Sequence, residues 1–369
     1  MNTLDELLHS SLGTVFTAAS VEVRQRGSVI YQKTVGSLDP EGKLDGDVPP
    51  VRRNTLFDFA SLTKLFTTAA FFRLVDAGHV SVDTPVIDVL PGFAGSRPIR
   101  PYPDPLKPGA VVEVVPPTET RVDASAITFR HLLTHSSGLP AWINLRDADD
   151  IPGRLAMCLT TPFAYPTGTR VVYSDVGYIL IGEAIAKITD SPLDSAMKRL
   201  VIKPLELSLH YSPIPDPVGK VPPTEFCQWR QRRIVGEVHD ENSATLNGVA
   251  GHAGLFGTAS DVATLAQVFL ADGGGFITPR LARESVRRQI EDRGLGWMLR
   301  SPQGSSSGSL FSENSYGHTG FVGNSVWVDP ARQLICVVLT NRVFFGRNPD
   351  AIMKFRPKFH DALINALEG

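Results

Sequence analysis

A serine and a lysine three residues apart place a hydroxyl and an ammonium on one face of a helix, a turn from each other. The sequence contains that spacing twice, as Ser61-Leu-Thr-Lys64 and as Ser195-Ala-Met-Lys198. The chemistry on offer is nucleophilic, because a hydroxyl attacks well only when a neighbouring base takes its proton. The two contexts differ. Around the second copy, Leu193, Ala196, Met197 and Leu200 form the apolar stripe of a helix, so Ser195 and Lys198 face solvent. The first copy follows the extended run Leu56-Phe-Asp-Phe-Ala60 and opens a helix that is apolar nearly all round, through Leu65, Phe66, Phe71, Phe72 and Leu74. Such a helix is buried. Burial should lower the pKa of Lys64 and turn it into a proton acceptor. The plainer alternative is that Ser61 caps the helix and Lys64 reaches outward along its own stem.

A serine nucleophile needs a second proton-handling group and a site for the oxyanion. Tyr173-Ser174-Asp175 supplies the first candidate. It lies after the turn Pro166-Thr-Gly-Thr and before a helical run from Val176, where Tyr173 would project from a loop end into a cleft. Gly317-His318-Thr319-Gly320 is the second candidate, at a glycine-flanked strand edge. Two other patterns lack the context that their chemistry requires. Gly304-Ser-Ser-Ser-Gly308 fits G-x-S-x-G, but its flanks are loop rather than strand and helix. His131 and His135 have the i, i+4 spacing of zinc ligands, but Leu132 stands where H-E-x-x-H has glutamate and no third ligand follows. No metal site is expected, and a metallohydrolase is the rival enzyme class.

The elements that must position these residues are readable from period and turn signals. A short helix over residues 3–11 precedes two strand-like runs, 15–24 and 28–35, joined at Gln25-Arg26-Gly27. At the other end, 325–328 and 334–339 are strand-like around Asp329-Pro330-Ala331-Arg332, and a closing helix covers about 350–367. Between them, 62–77, 128–134, 176–188, 192–202 and 259–270 read as helices. Strands at both ends with helices between predict a mixed α/β (α+β) fold: one antiparallel sheet built from both termini, flanked by helices, with a mostly helical lobe inserted. The expected division is 1–75 plus 250–369 for the sheet domain and 76–249 for the inserted one. The proline-rich stretch 97–117 is read as irregular, and 302–309 as a Gly/Ser loop.

Taken together and in order, Ser61-x-x-Lys64, Tyr173-Ser-Asp and His318-Thr-Gly resemble the serine β-lactamase and penicillin-binding-protein superfamily, in particular the class C β-lactamases and their D,D-peptidase and esterase relatives. The resemblance extends to His131-Leu-Leu-Thr-His-Ser-Ser-Gly-Leu-Pro140, Tyr173-Ser-Asp-Val-Gly-Tyr-Ile-Leu-Ile-Gly182 and Gly248-Val-Ala-Gly-His-Ala-Gly-Leu-Phe256, and so to nearly the whole chain. It implies the β-lactamase/transpeptidase-like fold and an acyl-enzyme on Ser61. Lys64 and Tyr173 would share the proton traffic, and the backbone N–H groups of Ser61 and Phe321 would form the oxyanion hole. His318, Thr319 and Gly320 would match the strand triad that is usually Lys-Thr-Gly. Asp175 stands where class C enzymes have Asn, and His318 where they have Lys. Both departures point away from efficient β-lactam turnover and toward a small ester or amide substrate, with a neutral His318 gripping carboxylates weakly until it titrates near pH 6.5. His239-Asp-Glu-Asn242 with Gly251-His252-Ala-Gly254 is similar to the branch holding muropeptide amidases and penicillin-binding protein 4 homologues, which makes His252 a candidate pocket residue or, equally, a satisfied structural histidine. A genuine class C-like β-lactamase, a D,D-carboxypeptidase and an inactive penicillin-binding sensor are the alternatives.

Composition narrows the remaining classes. The 369 residues are 42% hydrophobic, enough for a full core, and 36 basic against 38 acidic residues leave a net charge of -2. No basic run suggests a nucleic-acid partner, and no apolar run approaches the ~20 residues that span a bilayer. The partner expected is a small-molecule substrate, with no cofactor, and the oligomeric state stays open. The N-terminus lacks a charged patch followed by an apolar run, and Cys158, Cys227 and Cys336 show no disulfide or C-x-x-C pattern, so a cytoplasmic location with three buried thiols is expected.

Overall fold

The computed structural model describes residues 1–43, 49–107, 109–114 and 120–369. Six strands form the main sheet: β1 (Ala18–Gln25), β2 (Ser28–Gly36), β3 (Met298–Leu299), β4 (Tyr316–Thr319), β5 (Ser325–Asp329) and β6 (Leu334–Thr340). Their spatial order is β3-β4-β5-β6-β1-β2, antiparallel throughout. Both termini therefore contribute, as the apolar patterning at the two ends requires. The β1–β2 hairpin turns at Arg26 and Gly27, both with positive φ (50° and 80°), which matches the twist of the flanking strands. At the β5–β6 turn the Asp329 carboxylate accepts from the amides of Ala331 (3.0 Å) and Arg332 (3.3 Å), so the turn residues read from the sequence close it by an Asx-type contact.

Strand β6 shows why this sheet is central. Its side chains alternate between two cores. Ile335, Val337 and Leu339 join one cluster, while Leu334, Cys336 and Val338 join another. The second cluster is closed by helix α1 (Asn2–Ser11) and the C-terminal helix α5 (Asp350–Glu368), through Leu4, Leu8, Phe355, Phe359 and Leu363. The first is continuous with helix α2 (Thr63–Asp76), helix α3 (Asp175–Thr189) and helix α4 (Ala259–Leu270). Helix α2 is buried on nearly every side, as its all-round apolar sequence dictates.

One expectation needs correction. Of residues 97–117, positions 108 and 115–117 lie outside the described residues, and the rest is not simply irregular. Ser96–Pro98 pairs with Arg121–Asp123, and Tyr102–Pro103 with Val111–Val112. The prolines keep these ladders to two or three residues, because each removes a donor, and that hides them from any periodicity test. The span 192–202 is helical but changes pitch, from α over Leu193–Met197 to a wider π turn over Lys198–Ile202. Among the described residues, no helix is long and apolar enough to cross a membrane.

Candidate active site

Ser61 sits in a 3₁₀ turn (Ala60–Leu62) that leads into helix α2. The preceding Ala60 has φ +45°, a left-handed conformation that costs a non-glycine residue about 1–2 kcal/mol. Buried Asp58 holds it there. One Asp58 oxygen accepts the Ala60 N–H (2.8 Å) and the other the His239 N–H (2.7 Å). The Asp58 carbonyl in turn receives the Asn324 side-chain amide (2.8 Å). A carboxylate inside the apolar run Leu56-Phe-Asp-Phe was the sequence signal for this brace.

Lys64 is fully buried, with its Nζ 3.1 Å from the Ser61 hydroxyl, 3.1 Å from the His252 carbonyl and 2.7 Å from the Asp175 carboxylate. The snorkelling alternative is therefore excluded. The expected direction of its pKa is corrected too. Burial is the largest single influence and pulls the ammonium down, but Asp175 and Tyr173 together, by charge and hydrogen bonding, outweigh it, and Lys64 is held above its usual value and stays cationic. Asp175 is free for this because the helix cap is Ser174, whose side chain accepts from Gly177 N–H (3.3 Å) and donates to the Pro140 carbonyl (2.7 Å).

Tyr173 presents its ring to Lys64, with the ammonium 4.9 Å from the centroid. Its hydroxyl is buried within reach of Ser61 and Lys64, without a well-formed hydrogen bond to either. Burial raises the phenol above its ordinary value despite the lysine, so it is protonated at rest. His135, read above only as half of a failed zinc pair, supports this residue. Its ring lies tilted by 34° against Tyr173 (4.5 Å between centroids) and its Nδ1 accepts the Ser174 N–H (3.0 Å). His131 spends its Nδ1 on the Thr128 N–H (3.1 Å) instead.

Strand β4 brings His318 and Thr319 to Ser61, and Gly320 makes the approach possible. A Cβ on Gly320 would lie 2.8 Å from the Phe59 carbonyl. The turn that follows is held by buried Arg356 of helix α5, which donates to the carbonyls of Gly320 (2.9 Å), Gly323 (3.3 Å) and Asn324 (2.7 Å). His318 does not behave as a group titrating near neutrality. Burial, then Lys64 and Arg293, push its pKa down to about 3. Of the two readings of His252, the structure places the ring as a partnered structural histidine. Its ring faces the Asp240 carboxylate (2.8 Å) and lines neither part of the cleft described below; its backbone carbonyl is what reaches the site. Gly251 lets that segment thread between helices, since a Cβ there would meet the Tyr178 carbonyl at 2.1 Å.

The cleft in front of Ser61 has two parts. One, about 400 Å³, is walled by Arg293, Met298, His318 and Thr319 together with the start of helix α5. The other, about 320 Å³, is walled by Ala141, Trp142, Asp175, Asp240 and Glu241. Ser61, Tyr173, Leu106, Phe321 and Arg347 border both.

Comparison with known proteins decides the family. The profile of the Beta-lactamase family matches residues 5–354. The chain belongs to the beta-lactamase family. Among curated relatives, a "Putative D-alanyl-D-alanine carboxypeptidase" of Escherichia coli K12 is 28% identical, the match covering 93% of this chain and 82% of the relative. A protein of the same description from Salmonella typhimurium LT2 is 30% identical over the same shares. Among solved structures, "EstCE1, a hydrolase with promiscuous acyltransferase activity" superposes with a TM-score of 0.72 at 20% identity, over 96% of this chain and 98% of that one. The octameric penicillin-binding protein homologue of Pyrococcus abyssi gives 0.70 at 19%, over 100% and 77%. The beta-lactamase fold read from the motifs is thus shown, and the protein is a serine hydrolase of that family.

Within this beta-lactamase-family cleft the structure brings Ser61, Lys64, Tyr173, Asp175, His318, Thr319, Gly320 and Phe321 together, and leaves the His252 ring behind them. The sequence reading passed over four supports: Asp58, His135, Arg293 and Arg356. Arg356 left a signal, since it falls on the apolar stripe Ile352, Phe355, Phe359, Leu363 of helix α5. Arg293 left none, standing in the charged run Glu291-Asp-Arg.

Proposed function

We propose that the protein hydrolyses a small ester or amide through an acyl-enzyme on Ser61, and that the leaving group carries a carboxylate. The observation that carries the substrate half is Arg293. Of the cations bordering the larger cavity, Arg342 and Arg356 are spent on backbone carbonyls and Arg347 on Glu225 and Glu241. Lys64 is paired with Asp175. Arg293 lies with its guanidinium 5.8 Å from the Tyr173 ring, and its buried Nε forms a loose ion pair with Asp292 (3.4 Å) without a hydrogen bond. Among the described residues bordering this cavity it is the cation least engaged by the protein, and it supplies the fixed charge that His318 lacks. The names of the curated relatives support a D-alanyl-D-alanine carboxypeptidase-like substrate; the family fold also supports a simple esterase.

Neither group beside the Ser61 hydroxyl is a base at rest, because Lys64 is an ammonium and Tyr173 a phenol, which leaves the Asp175 carboxylate behind Lys64 as the acceptor. The proton route that fits runs from Ser61 to Lys64 while Lys64 passes one to Asp175, along contacts of 3.1 and 2.7 Å. Ser61 Oγ bonds to the carbonyl carbon, and the oxyanion forms against the amides of Ser61 and Phe321, each such donor worth about 10²- to 10³-fold in rate. Tyr173 gives its proton to the leaving group as the scissile bond breaks. The resulting phenolate, beside the Lys64 ammonium, then takes a proton from water, whose oxygen releases the acyl group and frees Ser61. The Asp175 proton returns to Ser61 through Lys64.

The test compares N-acyl-D-alanyl-D-alanine, its C-terminal amide and p-nitrophenyl acetate, in wild type and Ser61→Ala. The proposal expects the free acid to be preferred over its amide, with no turnover of any of the three by Ser61→Ala. Equal turnover of acid and amide, with the ester fastest, moves the reading to an esterase.

A further inference from the structure

The two parts of the cleft share a wall, and one side chain in it, Phe321, is held by contacts from several elements. The Phe321 ring is clamped on both faces. His239 stacks on it with centroids 5.4 Å apart and planes 24° apart, and the Arg342 guanidinium lies 4.6 Å from its centroid. Each jaw is fixed in turn. His239 donates its backbone N–H to Asp58 and places its ring Nε2 3.2 Å from Glu225. Arg342 donates to the carbonyls of Phe321 (2.8 Å), Arg347 (2.9 Å) and Asn348 (3.2 Å). The backbone beneath is held by Arg356 through Gly320 and Gly323 on either side. The ring cannot swing aside without loosening both jaws, so it behaves as a fixed partition rather than an adaptable contact.

The chambers on its two sides differ in chemistry. One offers Arg293, Thr319 and neutral His318, suited to an anionic leaving group. The other sets the apolar faces of Pro105, Ala141 and Trp142 beside the carboxylates of Asp175, Asp240 and Glu241, which admit an apolar group against Trp142 and repel an anionic one, and it shares Leu106 with the first. We infer that the Phe321 side chain is a specificity-determining residue that sorts the substrate, sending an apolar or aromatic acyl group to the Trp142 chamber and the leaving group to the Arg293 chamber, and preventing bulk on one side from using space on the other. This rests on Ser61 being the acylated residue, and adds a role for the ring to the one proposed for the Phe321 amide. A side chain that divides a site acts on relative rates, because one methylene too many for a pocket costs roughly 10- to 200-fold in kcat/KM.

The experiment measures kcat/KM for two ester series in wild type, Phe321→Ala, Phe321→Leu and Trp142→Ala. One series lengthens the acyl chain from acetyl to octanoyl, with phenylacetyl added, under a constant p-nitrophenol leaving group. The other varies the leaving alcohol under a constant acetyl group. Phe321→Ala should raise the octanoyl-to-acetyl ratio about tenfold or more and make tolerance of acyl bulk depend on the size of the alcohol. Phe321→Leu should move the ratio in the same direction by less. Trp142→Ala should widen the acyl series alone. If both Phe321 variants scale every substrate by a common factor, the partition is overturned. Should Phe321→Ala not fold, the Phe321→Leu ratio decides alone. Labelling of Ser61 by a fluorophosphonate, read by intact mass, separates the two ways of failing. A wild type that takes no label at Ser61 sinks the acyl-enzyme reading, whereas normal labelling with parallel profiles sinks only the partition.

Discussion

Ser61-x-x-Lys64 and Ser195-x-x-Lys198 have the same spacing and opposite fates. In the second, both polar residues are exposed on a short helix whose Ala196 and Met197 face the core. In the first, Lys64 has no exposed surface and meets a carboxylate, a carbonyl and a hydroxyl within 3.1 Å. Any helix supplies the spacing. What separates the copies is the surroundings that only the first possesses: Asp175 to keep the buried ammonium charged, the His252 carbonyl to orient it, and a strand end brought close by Gly320. A charge taken out of water with one partner missing is costly, so the motif becomes chemical only where the fold completes it.

The sharpest way to break the comparison is to remove the hydroxyls. Ser61→Ala should lose activity on the order of 10⁶-fold and take no fluorophosphonate, while Ser195→Ala should match wild type. Modification at Ser195 would reverse the comparison. Lys64→Ala should lose on the order of 10²- to 10⁴-fold, the range of a proton-transfer group, and Lys198→Ala nothing measurable in the same assay.

The next effect is smaller and more diagnostic. Asp175→Asn removes the stronger of the two partners that hold Lys64 up, and leaves burial, the largest influence on that group, acting downward against Tyr173 alone. Lys64 should then lose its proton at a lower pH than in wild type. At neutral pH the variant should be slower by on the order of 10²-fold for lack of a proton acceptor, but its kcat should climb with pH as Lys64 becomes a free amine able to take the Ser61 proton directly. Wild type should show no such climb. A pH–rate profile parallel to wild type would remove Asp175 from the proton route.

The reading of the sequence followed how local each cause was. Hairpins at both ends, the closing helix and the buried α2 were legible because period and turn residues act within a few positions. The spacing that brings Ser61 beside Lys64, and the loop end that carries Tyr173 to them, were local signals too. The pKa of Lys64 was not, because its sign depends on a residue 111 positions away in the chain (175 − 64). The same limit explains His252: the Gly251-His252 motif announced a special place, but only the packing shows that the backbone does the work and the ring turns to Asp240. Arg293 was invisible for the opposite reason, its sequence surroundings being those of an ordinary surface turn.

Replacing Arg293 should give a third, more modest contrast. Arg293→Ala should lower kcat/KM for a carboxylate-bearing substrate by about 10- to 100-fold, the worth of a charge-assisted hydrogen bond of about 1.5–3 kcal/mol, while a neutral ester is hydrolysed within about twofold of wild type. Equal losses on both substrates would make Arg293 a support for Tyr173 rather than a substrate contact.

The smallest expected effect is a flat line, and it carries the lesson of burial over to histidine. With its pKa near 3, His318 gains charge only as pH falls toward that value, so KM for a carboxylate substrate should vary less than about twofold between pH 6 and 8, where an ordinary histidine of pKa about 6.5 would titrate. The same depression has a sign for stability. The unfolded chain binds a proton at His318 below about pH 6.5 while the folded one does not, so the folded state loses ground as pH falls below that point. His135, well below its usual value, and His360, pushed down to about 4, are buried histidines that act in the same direction. Urea midpoints should therefore fall steadily from pH 6.5 to 5 while KM for the carboxylate substrate stays level over the part of that range where the protein remains folded. A KM that improves as pH falls through 6.5 would show that His318 does take a proton in the folded site, and would return the carboxylate grip from Arg293 to the histidine.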